Sequence, residues 1–153
     1  GARLAGEGAK VVLADIEEEA GQEAAAEIGA EFIKCDVRDP EASVAAVDHA
    51  VKVFGGLDIA FLNAGISTGC GLVETFDLEL YHRAMQINLD GVVFGINAAV
   101  PAMRRRGGGS LLDCDPAGGT AASISAAAVA TPSTTPATDR SKSAATRPSS
   151  RSR

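Results

Sequence analysis

The chain has no tryptophan, and aromatic residues make up only 4% of its 153 residues. Its three cysteines, Cys35, Cys70 and Cys114, lie far apart and form no Cys-x-x-Cys pair. This pattern argues against a zinc or disulfide framework and is typical of reduced thiols in a cytoplasmic protein. His49 and His82 are also isolated, so we predict no metal site.

Long apolar runs are absent as well, because none approaches the roughly 20 residues that a membrane-spanning helix needs. The net charge of −6 argues against a nucleic-acid-binding surface and against binding to an anionic membrane. The apolar content of 46% is that of a globular protein, and the length suffices for one domain with a sizeable core. We therefore expect a cytoplasmic protein with neither a membrane nor a nucleic-acid partner.

What is present is an alternation of short apolar segments with helix-forming segments between residues 1 and 113. Strands that are apolar throughout are typical of a parallel sheet covered on both faces by helices. The fold class we predict is therefore α/β, with a Rossmann-like, doubly wound parallel sheet. The predicted strands are 10–15, 31–36, 57–62 and 110–112, and the predicted helices are 16–28, 40–54 and 78–104.

The composition changes after about Gly107. Between Thr120 and Arg153, 23 residues are Ala, Ser or Thr, and only Ile124 and Val129 are larger aliphatic residues. So little apolar surface cannot offset the entropy lost on ordering the chain. We expect residues 114–153 to be a low-complexity, disordered tail, in which a weak helix could form around 121–130.

Acidic side chains end the first two predicted strands. Asp15 could accept hydrogen bonds from the hydroxyls of an adenosine ribose, and its charge would repel a 2′-phosphate. The equally weighted alternative is that Asp15 caps the helix that follows, and the two roles are compatible. Asp36 could accept a hydrogen bond from the adenine amino group while the backbone of Val37 contacts the ring; its alternative is an ordinary Asx turn.

The third strand ends in Asn63-Ala64-Gly65, where small residues let the backbone approach a ligand closely. A strand ending in any turn would give the same three letters. Because ligands of doubly wound sheets bind beyond the carboxyl ends of the strands, Asp15, Asp36 and Asn63 together form the polar rim that a nucleotide crevice requires.

Five segments form a recognisable combination: Leu4 to Val11, Asp15, Cys35-Asp36-Val37, Asn63-Ala64-Gly65 and Ile87 to Gly91. Together they resemble the short-chain dehydrogenase/reductase family. The resemblance implies that Asn63-Ala64-Gly65 stabilises the sheet and lines the cofactor pocket. It also implies that Asn88 belongs to the catalytic tetrad and holds a water in the proton relay, whereas the residues alone favour a kink or a packing role.

The resemblance further implies an oxidoreductase that moves a hydride between a nicotinamide cofactor and a small-molecule alcohol or carbonyl substrate. Asp15 favours NAD over NADP. Intact relatives are expected to be homo-oligomeric. On this basis residues 1–113 are a partial NAD(P)-binding Rossmann domain and residues 114–153 are a separate tail.

The chain departs from the family pattern at its start. The opening strand and its Thr-Gly-x-x-x-Gly-x-Gly phosphate loop are missing, because Gly1 corresponds to the helix after that loop. The missing strand would lie in the middle of the sheet. We therefore expect an incomplete sheet with open strand edges around Val11 and Ile59, and an aggregation-prone chain.

A second departure concerns the catalytic residues. Asp115 stands where the family has its Ser, and the only tyrosine, Tyr81, precedes Asn88. Lys142 has Thr138, not Tyr, four positions before it. Without a phenol to donate a proton, we expect this chain not to be catalytically competent. The alternative function is a non-catalytic nucleotide-binding or regulatory module.

The position of the composition change suggests a shift of reading frame between about Gly107 and Gly119; a genuine low-complexity tail is the alternative. If the frame shifts, another frame of the same DNA encodes a Ser near position 115 and a Tyr-x-x-x-Lys near positions 125–135. Sequencing the gene and translating all three frames tests this, and the absence of that motif from both other frames would refute it.

Overall fold

A computed structural model describes residues 1–67, 69–113 and 126–130. Most element bounds agree with the sequence prediction to within two residues; α2 starts two residues late, and β2 and β3 are two residues shorter than predicted. The helices are α1 (Ala2–Gly6), α2 (Glu18–Ile28), α3 (Pro40–Phe54), α4 (Leu78–Met85) and α5 (Gly91–Arg106), with a 3-10 turn at Val73–Thr75 and a π-helical turn at Gln86–Asp90. The strands are β1 (Lys10–Asp15), β2 (Glu31–Lys34), β3 (Ile59–Leu62), β4 (Ser110–Asp113) and β5 (Ala126–Ala130).

The five strands form one sheet in the order β2-β1-β5-β3-β4. β1 pairs in parallel with β2, and β3 pairs in parallel with β4. The middle strand, β5, is antiparallel to both of its neighbours. The prediction of an α/β sheet is confirmed, but the prediction that it is entirely parallel is wrong, because the last described strand enters the sheet from the opposite direction.

The strand edges of β1 and β3 that the sequence leaves without a partner are paired with β5. Val11 lies opposite Val129, and Ile59 lies opposite the same residue from the other side. The weak helix suggested for 121–130 is therefore wrong over 126–130, and disorder is not what the structure has there. The physical reason is that two open edges offer main-chain hydrogen bonds on both sides, which outweigh the helix propensity of alanine. The remainder of the predicted tail lies outside the described residues.

Helices cover both faces of the sheet. On one face, α1 and α2 pack over a core cluster built around Val11, Leu13 and Ala25. On the other face, α3 and α5 pack over a second cluster that includes Leu57 and Met103. The result is a three-layer arrangement in which the carboxyl ends of β1, β2 and β3 share one edge.

Local sequence signals explain where the helix between β2 and β3 begins and ends. The Asp39 carboxylate accepts a hydrogen bond from the Glu41 N–H at 2.9 Å, and Pro40 occupies the first turn, where its missing N–H costs little. Gly55 ends α3 in the left-handed conformation, with φ of 82°.

The C-terminal end of α5 is tied to the start of β3. The Arg106 guanidinium donates a hydrogen bond to the Asp58 carboxylate, with 2.6 Å between Nε and Oδ1, and both side chains are less than a quarter exposed. Within the described part of the chain, no helix is long and apolar enough to cross a membrane, and no group of three or more His, Cys, Asp or Glu side chains could hold a metal ion.

Replacing Ala128 with proline tests whether β5 holds the sheet together. Ala128 lies opposite Val12 on one side and Ala60 on the other, and proline has no N–H to donate to either strand. We expect Ala128→Pro to lower the free energy of unfolding by about 1–3 kcal/mol, since a buried carbonyl of a neighbouring strand loses its hydrogen-bond donor. Urea unfolding followed by circular dichroism measures this.

Ala128→Val is the matched control, because valine keeps the N–H and has the higher strand propensity. We expect it to leave stability unchanged or raised. Identical unfolding midpoints for the proline variant and the unaltered chain would show that β5 does not carry the sheet.

Candidate functional site

Asp15 ends β1, the strand next to the middle strand, at the shared carboxyl edge. The residue is 7% exposed, and its Oδ1 accepts a hydrogen bond from the N–H of Glu17 at 2.9 Å. Helix α2 begins only at Glu18, so this contact is a turn within the loop and not a bond to the second or third residue of the helix. Asp15 therefore stabilises the β1–α2 loop and places a buried acidic group at the edge.

Asp36 follows β2 at the same edge, where it is paired with Arg38. The Arg38 N–H and its Nε donate to Asp36 Oδ1 at 3.0 and 2.9 Å. The hydrogen bonds from Arg38 hold the pKa of the Asp36 carboxyl below its usual value. The Asx turn that the sequence offered as an alternative is present, and the guanidinium stabilises the charged form of Asp36.

Asn88 is joined to the loop after β3. Its Oδ1 accepts from the Ile66 N–H at 2.8 Å, and its Nδ2 donates to the Ile66 carbonyl at 2.9 Å. The residue lies in the π-helical turn Gln86–Asp90, a distortion that is frequent at functional sites. Both polar groups of the amide are thereby engaged, and the loop that begins with Asn63-Ala64-Gly65 is fastened to the α4–α5 segment.

Close packing brings α5 against the edge of the sheet. A Cβ at Gly91 would lie 2.9 Å from Cγ2 of Val37, and one at Gly95 would lie 2.6 Å from Cδ2 of Leu62. These two glycines therefore allow the helix to approach the loops that end β2 and β3. Ala64 and Val37 both line an apolar cavity of about 50 Å³.

Cys35 precedes Asp36 and is buried, 4% exposed. Burial, followed by the charges of Asp36, Asp39 and Asp15, raises the pKa of its thiol to about 11. The thiol is therefore neutral near pH 7, which agrees with a structural and not a nucleophilic role.

The structure brings the residues predicted to bind the cofactor to one edge: Asp15, Asp36, Val37, Asn63, Ala64 and Gly65. Tyr81 lies on α4, 38% exposed, with its ring 5.7 Å from that of Phe76. Asp115, which stands in place of the family's Ser, and Lys142, which lacks a Tyr four positions before it, lie outside the described residues.

The sequence reasoning missed Arg38 and Ile66. The signal for Arg38 was available, because an Asp-x-Arg spacing places the guanidinium within reach of the carboxylate across one turn. Ile66 could not be found from sequence, since it takes part only through its backbone.

Residues 2–135 match the protein family described as Enoyl-(Acyl carrier protein) reductase. The chain is 40% identical over 123 residues to a 3-alpha-(or 20-beta)-hydroxysteroid dehydrogenase of Mycobacterium bovis, covering 79% of this chain and 47% of that protein. It is 43% identical over 116 residues to the trans-4-hydroxycyclohexanecarboxylate dehydrogenase of Sinomonas cyclohexanicum, covering 69% and 44%. To the cyclohexanol dehydrogenase of an Acinetobacter species it is 36% identical over 115 residues, covering 72% and 46%. The chain thus spans about half the length of these curated relatives.

Removing the amide of Asn88 should loosen the loop that it holds. We expect Asn88→Ala to lower the free energy of unfolding by about 1–3 kcal/mol and to speed hydrogen exchange at the Ile66 amide, because the part-buried N–H and carbonyl of Ile66 lose their partner. Asn97→Ala is the matched control: its amide donates to the Val93 carbonyl at 2.9 Å on the exposed side of α5. It should change stability by less than about 0.5 kcal/mol. Equal effects of the two variants would contradict the role given to Asn88.

The hydrogen bonds from Arg38 to Asp36 lead to a prediction about how the stability of the chain depends on pH. Because the pKa of Asp36 is lower in the folded chain, its contribution to stability is present above the pKa of an unfolded Asp, about 3.9, and is lost as pH falls through the lower value of the folded state. Arg38→Gln should return the pKa of Asp36 toward the ordinary value, as measured by titrating the side-chain carboxyl carbon by NMR. An unchanged titration would show that the hydrogen bonds from Arg38 are not the cause.

Proposed function

Because this chain belongs to the short-chain dehydrogenase/reductase family, we propose that it forms the adenosine-binding edge of an NAD-dependent oxidoreductase. When bound, such a cofactor supplies hydride transfer between nicotinamide and the alcohol or carbonyl group of a small molecule. The observation that carries the proposal is the meeting of Asp15, Asp36 and the Asn63 loop at the carboxyl edge of one sheet.

Asp15 is the residue we propose for ribose recognition. It lies at the end of β1 next to the middle strand, and a carboxylate there accepts hydrogen bonds from the 2′- and 3′-hydroxyls of a ribose. The same charge repels the 2′-phosphate of NADP, which supports NAD as the preferred cofactor.

Asp36 and Val37 are proposed to contact the adenine ring, with Ala64 and Gly65 beside them. The close approach at Gly91, where a Cβ would lie 2.9 Å from Val37, packs Val37 against α5 at this part of the edge. The pairing of Asp36 with Arg38 keeps the carboxylate ionised and therefore able to accept a hydrogen bond from the adenine amino group.

The residues fit the adenosine half better than the pyrophosphate. In doubly wound folds the pyrophosphate sits at the N-terminus of the helix that follows the middle strand. Here the middle strand is β5, whose first residue, Ala126, lies at the carboxyl edge opposite Ala14 and Leu62. Among the described residues no helix follows the middle strand at that edge, so we assign no group to the pyrophosphate.

Asn88 is proposed to position the proton relay of the whole enzyme. The two hydrogen bonds to Ile66 fix its amide between the π-helical turn and the loop after β3. In this role it acts by holding the loop in place, in addition to holding the water that the family resemblance implies.

Two further features of the intact protein are proposed from the surface and the thiols. Leu89, Val93 and Ile96 form an exposed apolar stripe along the α5 side, which supports a homo-oligomer. The free thiols of Cys35 and Cys70 support a cytoplasmic location.

A second candidate function is a nucleotide-binding or regulatory module without catalysis. It is favoured by the position of Tyr81, which lies on α4 and precedes Asn88. Incubation of the chain with NAD and cyclohexanol, followed by the absorbance of NADH, tests the module, which predicts no turnover. Formation of NADH would eliminate it.

Cofactor preference can be measured directly on this chain. We expect NADH to bind at least about tenfold more tightly than NADPH, which corresponds to about 1.4 kcal/mol. Asp15→Ala should reduce that ratio toward one, because the charge that repels the 2′-phosphate is removed. Equilibrium dialysis with each nucleotide gives both dissociation constants.

Asp48→Asn is the control for charge alone, since Asp48 lies exposed on α3 and its loss changes the net charge equally. The NADH to NADPH ratio should be unaffected by it. Tighter binding of NADPH to the unaltered chain would refute the role of Asp15, and no binding of either nucleotide would refute the proposed function.

A further inference from the structure

Arg38 engages both carboxylate oxygens of Asp36. Oδ1 accepts a hydrogen bond from the backbone N–H of Arg38 at 3.0 Å and another from its Nε at 2.9 Å. Oδ2 accepts from Nε at 3.1 Å and from Nη2 of the same guanidinium. Because a carboxylate has about four lone-pair positions, this one neighbouring residue fills the acceptor capacity of Asp36.

The two oxygens differ in which donors hold them. Oδ1 accepts from the backbone N–H of the Asx turn, a donor that any residue except proline supplies at position 38. Both hydrogen bonds described for Oδ2 come from the Arg38 guanidinium. Loss of the Arg38 side chain therefore leaves the turn in place and frees Oδ2.

The pair lies at the surface, next to the proposed adenine position. The side chains of Arg38 and Asp36 are 40% and 32% exposed. An ion pair at this exposure is weak, so a ligand that offers another donor to the carboxylate can open it. Val37 lies between the two residues in the chain and lines the apolar cavity, which places the pair beside the proposed contact with the ring.

We propose that Arg38 determines base specificity: its guanidinium competes with the adenine amino group for Asp36 and so weakens the preference for adenine over a base without an amino group. The inference rests on the proposed function, because it concerns the same adenine contact. An adenine amino group must replace at least one hydrogen bond from Arg38, so its net gain is small. A base without that group leaves the pair closed and loses little.

Without the guanidinium, the same contact becomes selective. The charge of Arg83, on α4, still lowers the pKa of the Asp36 carboxyl, which therefore stays ionised at neutral pH. With Oδ2 free, the adenine amino group replaces water there, and its hydrogen bond to a charged acceptor is stronger than one between neutral groups. Removal of Arg38 therefore raises the selectivity for adenine, whereas loss of a direct contact with adenine would lower it.

The test compares NADH with its purine analogue, in which hydrogen replaces the adenine amino group, by equilibrium dialysis against the full chain. For the unaltered chain, the dissociation constant of the analogue should exceed that of NADH by less than about threefold. For Arg38→Met, whose side chain has no donor, the ratio should reach at least about tenfold. In the unaltered chain, the NMR signal of the Arg38 Nε–H should shift when NADH binds and stay in place when the analogue binds.

Three further variants separate the competition from a general effect of charge. Arg3→Met is the matched control, because Arg3 is 92% exposed and pairs with Glu7 at 3.2 Å on α1, and it should leave the ratio unchanged. Arg38→Lys keeps the charge without the planar fork and should give an intermediate ratio. Adding Asp36→Ala to Arg38→Met should return the ratio toward one, because the selectivity acts through the carboxylate.

The outcomes distinguish this inference from the proposed function. If both nucleotides bind and the ratio is the same for the unaltered chain and Arg38→Met, the inference alone is refuted. A lower ratio in Arg38→Met would also refute it, because Arg38 would then contact adenine directly. An equal rise in Arg3→Met would refute it as an effect of charge. If neither nucleotide binds to any of these chains, the proposed function fails and the inference fails with it.

Discussion

The pairing of β5 with β1 and β3 is the interaction on which the remaining structure depends. The two core clusters lie on the two faces of the sheet, one around Leu13 and the other around Leu57. Only the main chain of residues 126–130 joins the two strand ladders. Since the carboxyl ends of β1 and β3 form the candidate site, the spacing between Asp15 and Asn63 is set by the width of this one strand.

The candidate site combines a fixed part and an ion-paired part. Asn88 fastens the loop after β3 through two hydrogen bonds to one backbone unit, and this geometry requires no change of charge. Asp36 is held by the Arg38 guanidinium at a partly exposed position, so its environment responds to salt and pH. A ligand that contacts both would meet a loop that Asn88 holds in place and an Asp36 carboxylate whose interactions change with salt and pH.

The sequence was sufficient for the elements of the first 113 residues because their signals are local. Apolar runs ended by Asp or Asn marked the strands, and Asp39-Pro40 with Gly55 marked both ends of α3. The same runs brought the predicted edge residues together once the doubly wound order was assumed.

The direction of β5 could not be predicted in this way. Alanine-rich segments favour helices locally, and only the unpaired edges of β1 and β3, far away in the sequence, make a strand the better state for residues 126–130. The contacts of Ile66 could not be predicted either, because they involve only its backbone N–H and carbonyl, which every residue type except proline has.

The order of the strands along the chain has a consequence for folding during synthesis. The strand at the centre of the sheet is the last described strand to leave the ribosome, so β1 and β3 remain without their shared neighbour until residues 126–130 have been made. Every contact that closes the sheet joins residues far apart in sequence, which is the topology that slows folding and prolongs the exposure of apolar edges. The extent to which this protein needs chaperones should therefore depend on how late residues 126–130 are made, and not on the helices that are completed before them.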